Sequence, residues 1–308
     1  MRPDTCLNFR TNNSLLQSFA VNGVNELSTA WRSGTFTVQG MVGTVNPAVS
    51  EVNVSGTGLS TGAADLYADQ TWARAGASLA DGINNFTATA DDGISQTNTA
   101  TVSCWLPQTN NYTYDANGNL TSDGRRYFEY DDENQLTAVT VSNAWRSEFA
   151  YDGKMRRRLR YEKAWNGSIW ITNSIVEYVY DGNLAIQERD GANAPQVTYT
   201  RGRDMSGTLE GAGGIGGLLA RTVNTNLVLH PSAAHAYYHA DGNGNITALF
   251  SGAGVAVARY VYDPYGNVVG QSGPLAEANL YRFSSKEWHD NSWGTGSDRR
   301  NAQGTGQN

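Results

Sequence analysis

The stretch Tyr112-Thr113-Tyr114-Asp115-Ala116-Asn117-Gly118-Asn119-Leu120 decides the fold that this sequence predicts. Alternation of aromatic and polar residues is typical of a strand, because successive side chains on a strand point to opposite faces. The aspartate, asparagine and glycine residues that follow are turn formers, and Leu120 begins a returning apolar strand. The stretch therefore predicts a β-hairpin.

The same unit returns along the chain at irregular intervals. A divergent copy lies at residues 238–246, and clear copies of the tyrosine-aspartate pair end at Asp131, Asp152, Asp181 and Asp263. A single hairpin is not stable in water, so we expect the units to stack edge to edge into one long sheet. The predicted repeat residues, packing tyrosines with turn residues that set the register, are Tyr114, Asp115, Tyr130, Asp131, Tyr151, Asp152, Tyr180, Asp181, Gly182, Tyr262, Asp263 and Gly266.

Two turns have a specific predicted geometry. Asp181 and Gly182 favour a type I′ turn, whose two central residues both need positive φ. Asp263-Pro264-Tyr265-Gly266 fits a type I turn, with aspartate first and proline second. Both turns would return the chain directly along the preceding strand.

The composition agrees with an all-β protein and excludes other classes. Only 17% of the 308 residues are charged and 34 are glycine, whereas the exposed faces of helices are rich in charge. No apolar run approaches the ~20 residues that a membrane-spanning helix needs. The net charge of −7 disfavours nucleic acid as a partner. The start of the sequence has no apolar signal-peptide core, so we expect no signal peptide, and the localisation of the chain stays open.

The first third of the chain has a different character from the rest. It alternates Thr, Val, Ala and Asn between glycine turns, which predicts a small β-sandwich. Residues 79–90 and 99–103 resemble the late strands of bacterial immunoglobulin-like repeats. The predicted organisation is a residual repeat strand and linker at 1–34, an immunoglobulin-like β-sandwich at 35–107, a repeat sheet at 109–292 and a disordered tail at 293–308.

The repeats, with residues 211–220, 236–245, 260–267 and 281–287, resemble the RHS (YD-repeat) family and its repeat-associated core. The resemblance implies a partial β-shell that encapsulates or presents a C-terminal domain, often a toxin, in a bacterial protein that is secreted or on the cell surface. The family pattern breaks off after Ser292, which we interpret as a frameshift or truncation. No self-cleavage residues are carried over.

Several residue clusters have a chemical and a structural interpretation. Gly211, Gly213 and Gly216 match a dinucleotide-loop spacing but lack the strand-helix context, so we expect a flexible connector. His230, His235 and His239, with Asp241, would place ligands near a zinc ion, yet four ligands are not visible and packing is favoured. Cys6 and Cys104 match no metal spacing, and their pairing stays open.

The remaining charged clusters also favour structural roles. The loops that begin at Asp115 and Asp241 lack the sixth-position glycine and twelfth-position glutamate of a calcium loop, so they predict turns. The basic run 154–160 predicts a solvated strand with Arg157 and Leu159 on one face. Asp131, Asp132 and Glu133 fall on a repeat turn, which weakens a glycosidase pair.

These observations lead to one main hypothesis and one alternative. The main hypothesis is a structural, non-enzymatic fragment of an RHS protein, with no catalytic residues, cofactor or metal, whose partners are other repeat segments or an enclosed polypeptide. Because part of a shell leaves sheet edges unpaired, we expect poor solubility or oligomers in isolation. The alternative is a cell-surface protein that binds glycans through aromatic residues such as Trp165 and Trp170. Because these two tryptophans lie five residues apart, we expect them on opposite faces of a strand, which weakens a single platform for sugar rings.

Overall fold

The computed structural model describes residues 5–7, 14–42, 48–94, 96–224 and 234–289. Within these ranges the regular elements are β-strands, apart from one 3-10 turn at Phe283–Ser285, so the predicted all-β class is confirmed. Within the described ranges there is no helix long and apolar enough to cross a membrane. The predicted tail at 293–308 and the side chain of Cys6 lie outside the described residues.

The chain divides into two compact units, of which the first contains Met1–Gly124 and the second Arg125–Ser292. The strands of the first unit are β1 (Thr5–Leu7), β2 (Leu15–Val21), β3 (Leu27–Gly34), β4 (Phe36–Met41), β5 (Glu51–Gly56), β6 (Leu59–Ala63), β7 (Asp65–Leu66), β8 (Thr71–Ala77), β9 (Gly82–Asp91), β10 (Thr97–Leu106), β11 (Thr109–Asn111), β12 (Thr113–Tyr114) and β13 (Leu120–Ser122). The domain limits predicted from sequence stay a prediction.

A small sandwich occupies the middle of the first unit. One sheet has the order β4-β8-β7 and the other β10-β9-β5-β6. Apolar residues from both sheets share one core, including Val38, Val54, Trp72 and Phe86. The immunoglobulin-like character of this sandwich stays a prediction.

The sandwich is inserted in the chain between two strands, β3 and β11, that are neighbours in a third sheet. Strand β3 precedes it in the chain and pairs with β11, which follows it, so that Trp31 lies opposite Thr109. Arg32 of β3 fastens this junction, because its Nε donates to the carbonyl of Pro107 at 2.8 Å and its Nη2 to that of Ala80 at 2.5 Å. The chain thus leaves one sheet, builds the sandwich and returns to the strand that it left.

The second unit is built on one antiparallel sheet whose neighbouring strands follow in chain order. They are β14 (Tyr127–Tyr130), β15 (Leu136–Val141), β16 (Trp145–Tyr151), β17 (Arg157–Trp165), β18 (Trp170–Asp181), β19 (Leu184–Arg189), β20 (Pro195–Arg201), β21 (Leu218–Val223), β22 (His235–Ala240), β23 (Ile246–Ser251), β24 (Ala256–Tyr262) and β25 (Val268–Ser272). The edge-to-edge stacking of hairpins expected from the repeats is therefore present.

One face of this sheet is covered by the segment that follows β25. Leu275 and Ala276 belong to the same buried cluster as Ile246 and Leu249 of β23. Further along the segment, Tyr281 packs edge-on against Tyr199 of β20, with ring centroids 4.8 Å apart. We call the covered face the inner face and residues 273–289 the closing segment.

Candidate functional site

A recurrent aspartate turn ends many of the hairpins. Asp131 shows the arrangement: its Oδ1 accepts the backbone N–H of Glu133 at 3.1 Å and of Gln135 at 2.8 Å. The residue three positions after the aspartate, here Asn134, has positive φ. The same carboxylate bonds recur at Asp115, Asp152, Asp190, Asp241 and Asp263. The aspartate is therefore needed for turn geometry, because its side chain replaces backbone acceptors within the loop.

At two of these turns, hydrogen bonds to the aspartate carboxylate also lower its pKa. The side-chain bond from Arg156, with backbone N–H groups of Arg156 and Lys154, lowers the pKa of Asp152 to about 2. The side-chain bond from Asn119 likewise lowers the pKa of Asp115. These carboxylates stay ionised and are engaged in the turns.

The repeat tyrosines connect each hairpin to the one before it at the same end of the sheet. The phenol of Tyr151 donates to the carbonyl of Leu136 at 2.8 Å, and Leu136 lies five residues after the turn aspartate Asp131. Other bonds of this kind run from Tyr114 to Leu27, from Tyr180 to Arg157 and from Tyr262 to Ile246, at 2.9, 2.7 and 2.7 Å. Each acceptor again lies five residues after a turn residue. The bonds of Tyr151, Tyr180 and Tyr262 therefore reinforce strand pairs that the sheet ladder already joins, whereas Tyr114 and Leu27 lie in different sheets.

One predicted turn differs from its expected geometry. Asp181 pairs with Leu184, so the two loop residues are Gly182 and Asn183, and Asp181 is the last residue of its strand. Gly182 has φ +56°, while Asn183 is not among the residues with positive φ. The predicted type I′ turn centred on Asp181 and Gly182 is therefore wrong. A register shift before Tyr180 moves the loop by one residue.

The other predicted repeat residues lie at hairpin ends. Tyr130 pairs with Leu136 across its own hairpin, next to a register shift. In the loop after Tyr262, the N–H of Gly266 bonds the carbonyl of Asp263 at 3.0 Å, as a type I turn requires. Gly266 has φ +84°, and a Cβ there would lie 2.7 Å from the ring of Phe283, so glycine is required on both grounds.

Three further copies of the turn were not predicted from the sequence, because each lacks either the tyrosine or the aspartate of the repeat unit. Asn22 replaces aspartate, and its Oδ1 accepts N–H groups of Val24 and Glu26. Asp190 lacks a preceding tyrosine, and Ser251 replaces aspartate with a hydroxyl that accepts the N–H of Val255 at 3.3 Å. A usable signal was present: a polar turn residue, then asparagine or glycine three positions later and an apolar residue or proline five later.

The inner face of the second unit carries a row of buried ionisable side chains. Cross-strand pairing places Arg160 opposite Phe149, Tyr178 opposite Glu188 and Tyr199 opposite Arg221. Arg160, Glu188 and Arg221 are 7%, 7% and 3% exposed, although such residues are seldom fully buried unless paired. This row, completed by groups of the closing segment, is the candidate functional site.

Glu287 of the closing segment is the centre of the row. Its carboxylate accepts hydrogen bonds from Arg157, from Arg160 at 2.5 Å and from the phenol of Tyr178 at 2.7 Å. The guanidinium of Arg157 also lies over the ring of Tyr178, 4.8 Å from its centroid. One carboxylate thus bridges two cations and attaches the closing segment to β17 and β18.

A second attachment lies two residues further along the closing segment. His289 Nε2 is 2.6 Å from Glu162 Oε1, while the other oxygen of Glu162 accepts the hydroxyl of Ser147 at 2.5 Å. Burial raises the pKa of Glu162. The hydrogen bond and charge of His289, together with Ser147 and Arg160, lower this pKa by more than burial raises it, so the net shift is downward. The histidine edge also packs on Phe149, with ring centroids 5.6 Å apart.

The middle of the row is less balanced in charge. Glu188 accepts the phenol of Tyr199 at 2.7 Å. Burial, followed by repulsion from Glu287, raises the pKa of the Glu188 carboxyl. Burial also raises the pKa of the Tyr178, Tyr199 and Tyr281 phenols well above the ordinary value, so they act as neutral hydrogen-bond donors. The arrangement attaches the closing segment to the sheet through charged and phenol groups.

The basic run does not form the expected solvated strand. Tyr151 pairs with Arg157 but Ala150 with Leu159, so a bulge inserts one extra residue. The bulge turns Arg157 to the same face as Arg160, the inner face, and Leu159 to the other. The predicted sharing of one face by Arg157 and Leu159 is therefore wrong.

The other clusters weighed from sequence have local partners. The carboxylate of Asp204 accepts N–H groups of Ala212 and Gly214 at 2.7 and 3.1 Å, so the glycine run forms a turn around it. His235 and His239 lie next to hydroxyls of Thr222 and Thr247, at 3.0 and 2.7 Å. His230 lies outside the described residues, among which no group of three or more candidate ligands is close enough to hold a metal.

The two tryptophans of the glycan hypothesis are cross-strand neighbours. Trp165 pairs with Trp170, and their rings meet edge-on with centroids 5.1 Å apart. The expectation that they lie on opposite faces is wrong, because the intervening residues form a turn between two strands. Glycan binding itself stays a prediction, and a glycan array without hits would contradict it.

Comparison with known proteins finds relatives that are named as tRNA nucleases. No protein-family model matches the chain. Over 183 residues the chain is 30% identical to the tRNA3(Ser)-specific nuclease WapA of Bacillus spizizenii and 28% identical to the tRNA nuclease WapA of Bacillus subtilis strain 168. Each match covers 58% of this chain and 7% of the relative, so the chain spans a small part of their length.

Comparison with solved structures finds two alignments of low similarity. A TcdB2-TccC3-Cdc42 crystal structure aligns over 88% of this chain and 13% of its own, with 14% identity and a TM-score of 0.41. A TcdB2-TccC3 crystal structure aligns over 92% of this chain and 15% of its own, with 12% identity and a TM-score of 0.38.

These relatives bear on two predictions. The chain is similar to RHS-type toxin proteins, in agreement with the resemblance drawn from its repeats. The expectation that the protein is not an enzyme is wrong, because the curated relatives that it matches are named as nucleases, which are enzymes.

Proposed function

We propose that this chain supplies a wall segment of a β-shell in an RHS-type toxin protein. The inner face of the wall, covered by the closing segment, would surround or present a further polypeptide domain. Following the names of the relatives, we propose that the complete protein has an enzymatic toxin activity directed at RNA. Bonded repeats provide the wall, and the charged row on the inner face provides attachment points for polypeptide.

The observation that carries this proposal is the phenol bond from one repeat to the carbonyl of an earlier one. Tyr114, Tyr151, Tyr180 and Tyr262 all make it, with an acceptor five residues after a turn residue. Each such bond contributes about 0.5–1.5 kcal/mol, and the ladder bonds add to it. Because this contact repeats along the chain, it supports a wall that grows by the addition of hairpins. Each hairpin is then stabilised by its immediate neighbours alone.

The closing segment supports the second part of the proposal. Glu287 and His289 bond to ionisable groups of β17 and β18, and the His289 ring packs on Phe149 of β16. Their partners are buried ionisable residues, which are costly to bury unless paired. The sheet therefore supplies specific polar sites that recognise a polypeptide segment on its inner face.

The assembly state of the purified chain tests the wall. A strand at the edge of a long sheet presents unpaired backbone groups, so we expect concentration-dependent oligomers in light scattering after size exclusion. Val269→Lys, in the final described strand β25, places a charge at an edge and is expected to shift the population toward monomer. Val255→Lys, at an exposed turn position, is the matched control.

Two results would contradict the wall. One is a sharp monomer peak for the unchanged chain over a wide concentration range. The other is an equal response to both lysine substitutions. A parallel incubation with total tRNA tests whether the proposed RNA-directed activity resides in this segment, and cleavage that purifies with the chain would locate it there.

A further inference from the structure

Arg221 on β21 is a buried cation without hydrogen-bond partners for two of its donors. The side chain is 3% exposed, and neither Nε nor Nη1 has a partner among the described residues. Its cross-strand neighbours are Tyr199 on β20 and Ala236 on β22. Arginine stays protonated in proteins, so this buried charge is strongly unfavourable until something accepts its hydrogen bonds.

Other arginines of the inner face have acceptors. Arg157 and Arg160 bond Glu287, and Arg201 donates twice to the carbonyl of Ala185, at 3.1 and 2.9 Å. Arg282 donates to the carbonyls of Asn279 and Ala276, each at 3.2 Å. Nε of Arg157 and Nε of Arg160 also lack a hydrogen-bond partner, but each of these four arginines bonds an acceptor through at least one nitrogen. Arg221 differs because its Nε and its Nη1 are both unpartnered, which points to a group outside the chain.

The groups around Arg221 are already engaged with one another. The phenol of Tyr199 donates to Glu188, that of Tyr238 to Asn279 at 2.8 Å and that of Tyr260 to the carbonyl of Ala276 at 2.7 Å. These phenols are thus not free to donate to a ligand. The donors on offer are the two of Arg221, which carry one positive charge.

This balance selects the kind of ligand. Arginine binds carboxylates and phosphates well. A phosphate dianion would bring two negative charges to one cation, close to the electrostatic influence of Glu188 and Glu287. A carboxylate brings one negative charge, which matches the single positive charge of the guanidinium.

We propose that Arg221 binds a carboxylate side chain of the polypeptide that the wall surrounds, and this inference rests on the proposed function. The bound carboxylate accepts a hydrogen bond from Nε or from Nη1 and neutralises the buried guanidinium. The site thereby fixes an acidic residue of the partner segment on the inner face, beside the tyrosines of β20 and β22.

Formate is the first probe, because only a small anion reaches a buried guanidinium without displacing side chains. Urea unfolding of the whole chain is followed with added sodium formate, with sodium chloride at equal ionic strength as control. At formate ten times above its dissociation constant, the ratio of folded to unfolded protein is expected to rise about tenfold. Arg221→Met keeps the length of the side chain, removes the charge and is expected to abolish this response.

Two further measurements separate the alternatives. Inorganic phosphate at the same concentration is expected to stabilise less than formate, and a larger, Arg221-dependent effect of phosphate would overturn the choice of carboxylate. A third measurement tests a carboxylate in a polypeptide context. Urea unfolding and refolding are followed with N-acetylaspartate whose backbone carboxyl is amidated and whose side-chain carboxylate is free, and with the equally blocked asparagine as control. Stabilisation by formate without stabilisation by the blocked aspartate would overturn the polypeptide source.

The behaviour of the variants alone decides whether Arg221 is structural. Without added anion, Arg221→Met is expected to lose little stability, because it breaks no hydrogen bond of Nε or Nη1 and removes only the attraction between Arg221 and Glu188. A strong loss of stability there, or equal formate effects in both proteins, would overturn the site. Arg221→Lys, which keeps the charge, serves if the methionine variant fails to fold and is expected to retain part of the response. Assembly measured by light scattering does not depend on formate, so failure of this site and failure of the wall are distinguishable.

Discussion

The phenol of Tyr151 donates a 2.8 Å hydrogen bond to the backbone carbonyl of Leu136, which lies on the neighbouring strand and fifteen residues earlier in the chain. The acceptor is the first residue of its strand, directly after the aspartate turn of Asp131. One side chain therefore holds the end of its own hairpin against the start of the strand beside it.

Removal of this phenol is expected to weaken the wall without changing its packing. Tyr151→Phe keeps the ring and leaves the Leu136 carbonyl without its donor, which should lower the free energy of unfolding by about 0.5–1.5 kcal/mol. Chemical denaturation measures the change. Tyr237→Phe is the control, because that side chain is 53% exposed and should change stability by under about 0.5 kcal/mol. Equal losses in both variants would contradict the role of the bond.

Neutralisation of Glu287 is expected to release the closing segment. Glu287→Gln leaves Arg157 and Arg160 with a neutral acceptor in place of the carboxylate, and breaking a buried ion pair on one side costs about 3–5 kcal/mol. Amide hydrogen exchange should accelerate in residues 279–289 before the rest of the second unit. The exposed Glu277→Gln is the matched control. Unchanged exchange in Glu287→Gln would show that other contacts hold the segment.

Glu188 gives the fold a dependence on pH whose sign follows from burial. Its pKa is raised above the ordinary 4.5 in the folded protein, so folding favours the protonated carboxyl. This contribution is fully present below the unfolded pKa and is lost as pH rises through the folded pKa. Glu188→Gln should therefore match the unchanged protein near pH 4 and exceed it in stability near pH 7. Urea titrations at the two pH values measure the difference in the free energy of unfolding between the two proteins. The same difference at both pH values would contradict a pH dependence that arises from Glu188.

Met155 occupies a turn position that other repeats give to glycine or asparagine. Its φ is +61°, a conformation that costs a residue with a Cβ about 1 kcal/mol or more, and its side chain is 65% exposed. Met155→Gly is expected to raise the melting temperature by a few degrees. Met205→Gly, at an exposed position that is not among those with positive φ, should lower it or leave it unchanged.

The sequence by itself determined the all-β class and most hairpins, because turn chemistry and strand alternation are local. Asp131 and Asp263 act within loops of a few residues, so their spacing is visible in the chain. Copies at Asn22, Asp190 and Ser251 follow the same local physics but use other side chains, so a search for tyrosine and aspartate passes over them.

Only the tertiary structure decided which charges lie inside. Arg157 reaches the inner face because one bulge shifts the strand period, and alternation counted along the sequence does not register a bulge. Glu287 meets Arg160 over a separation of 127 residues, and Arg221 is isolated because its neighbours bond one another. Such contacts depend on how the sheet and the closing segment pack, and packing brings together residues that no local pattern connects.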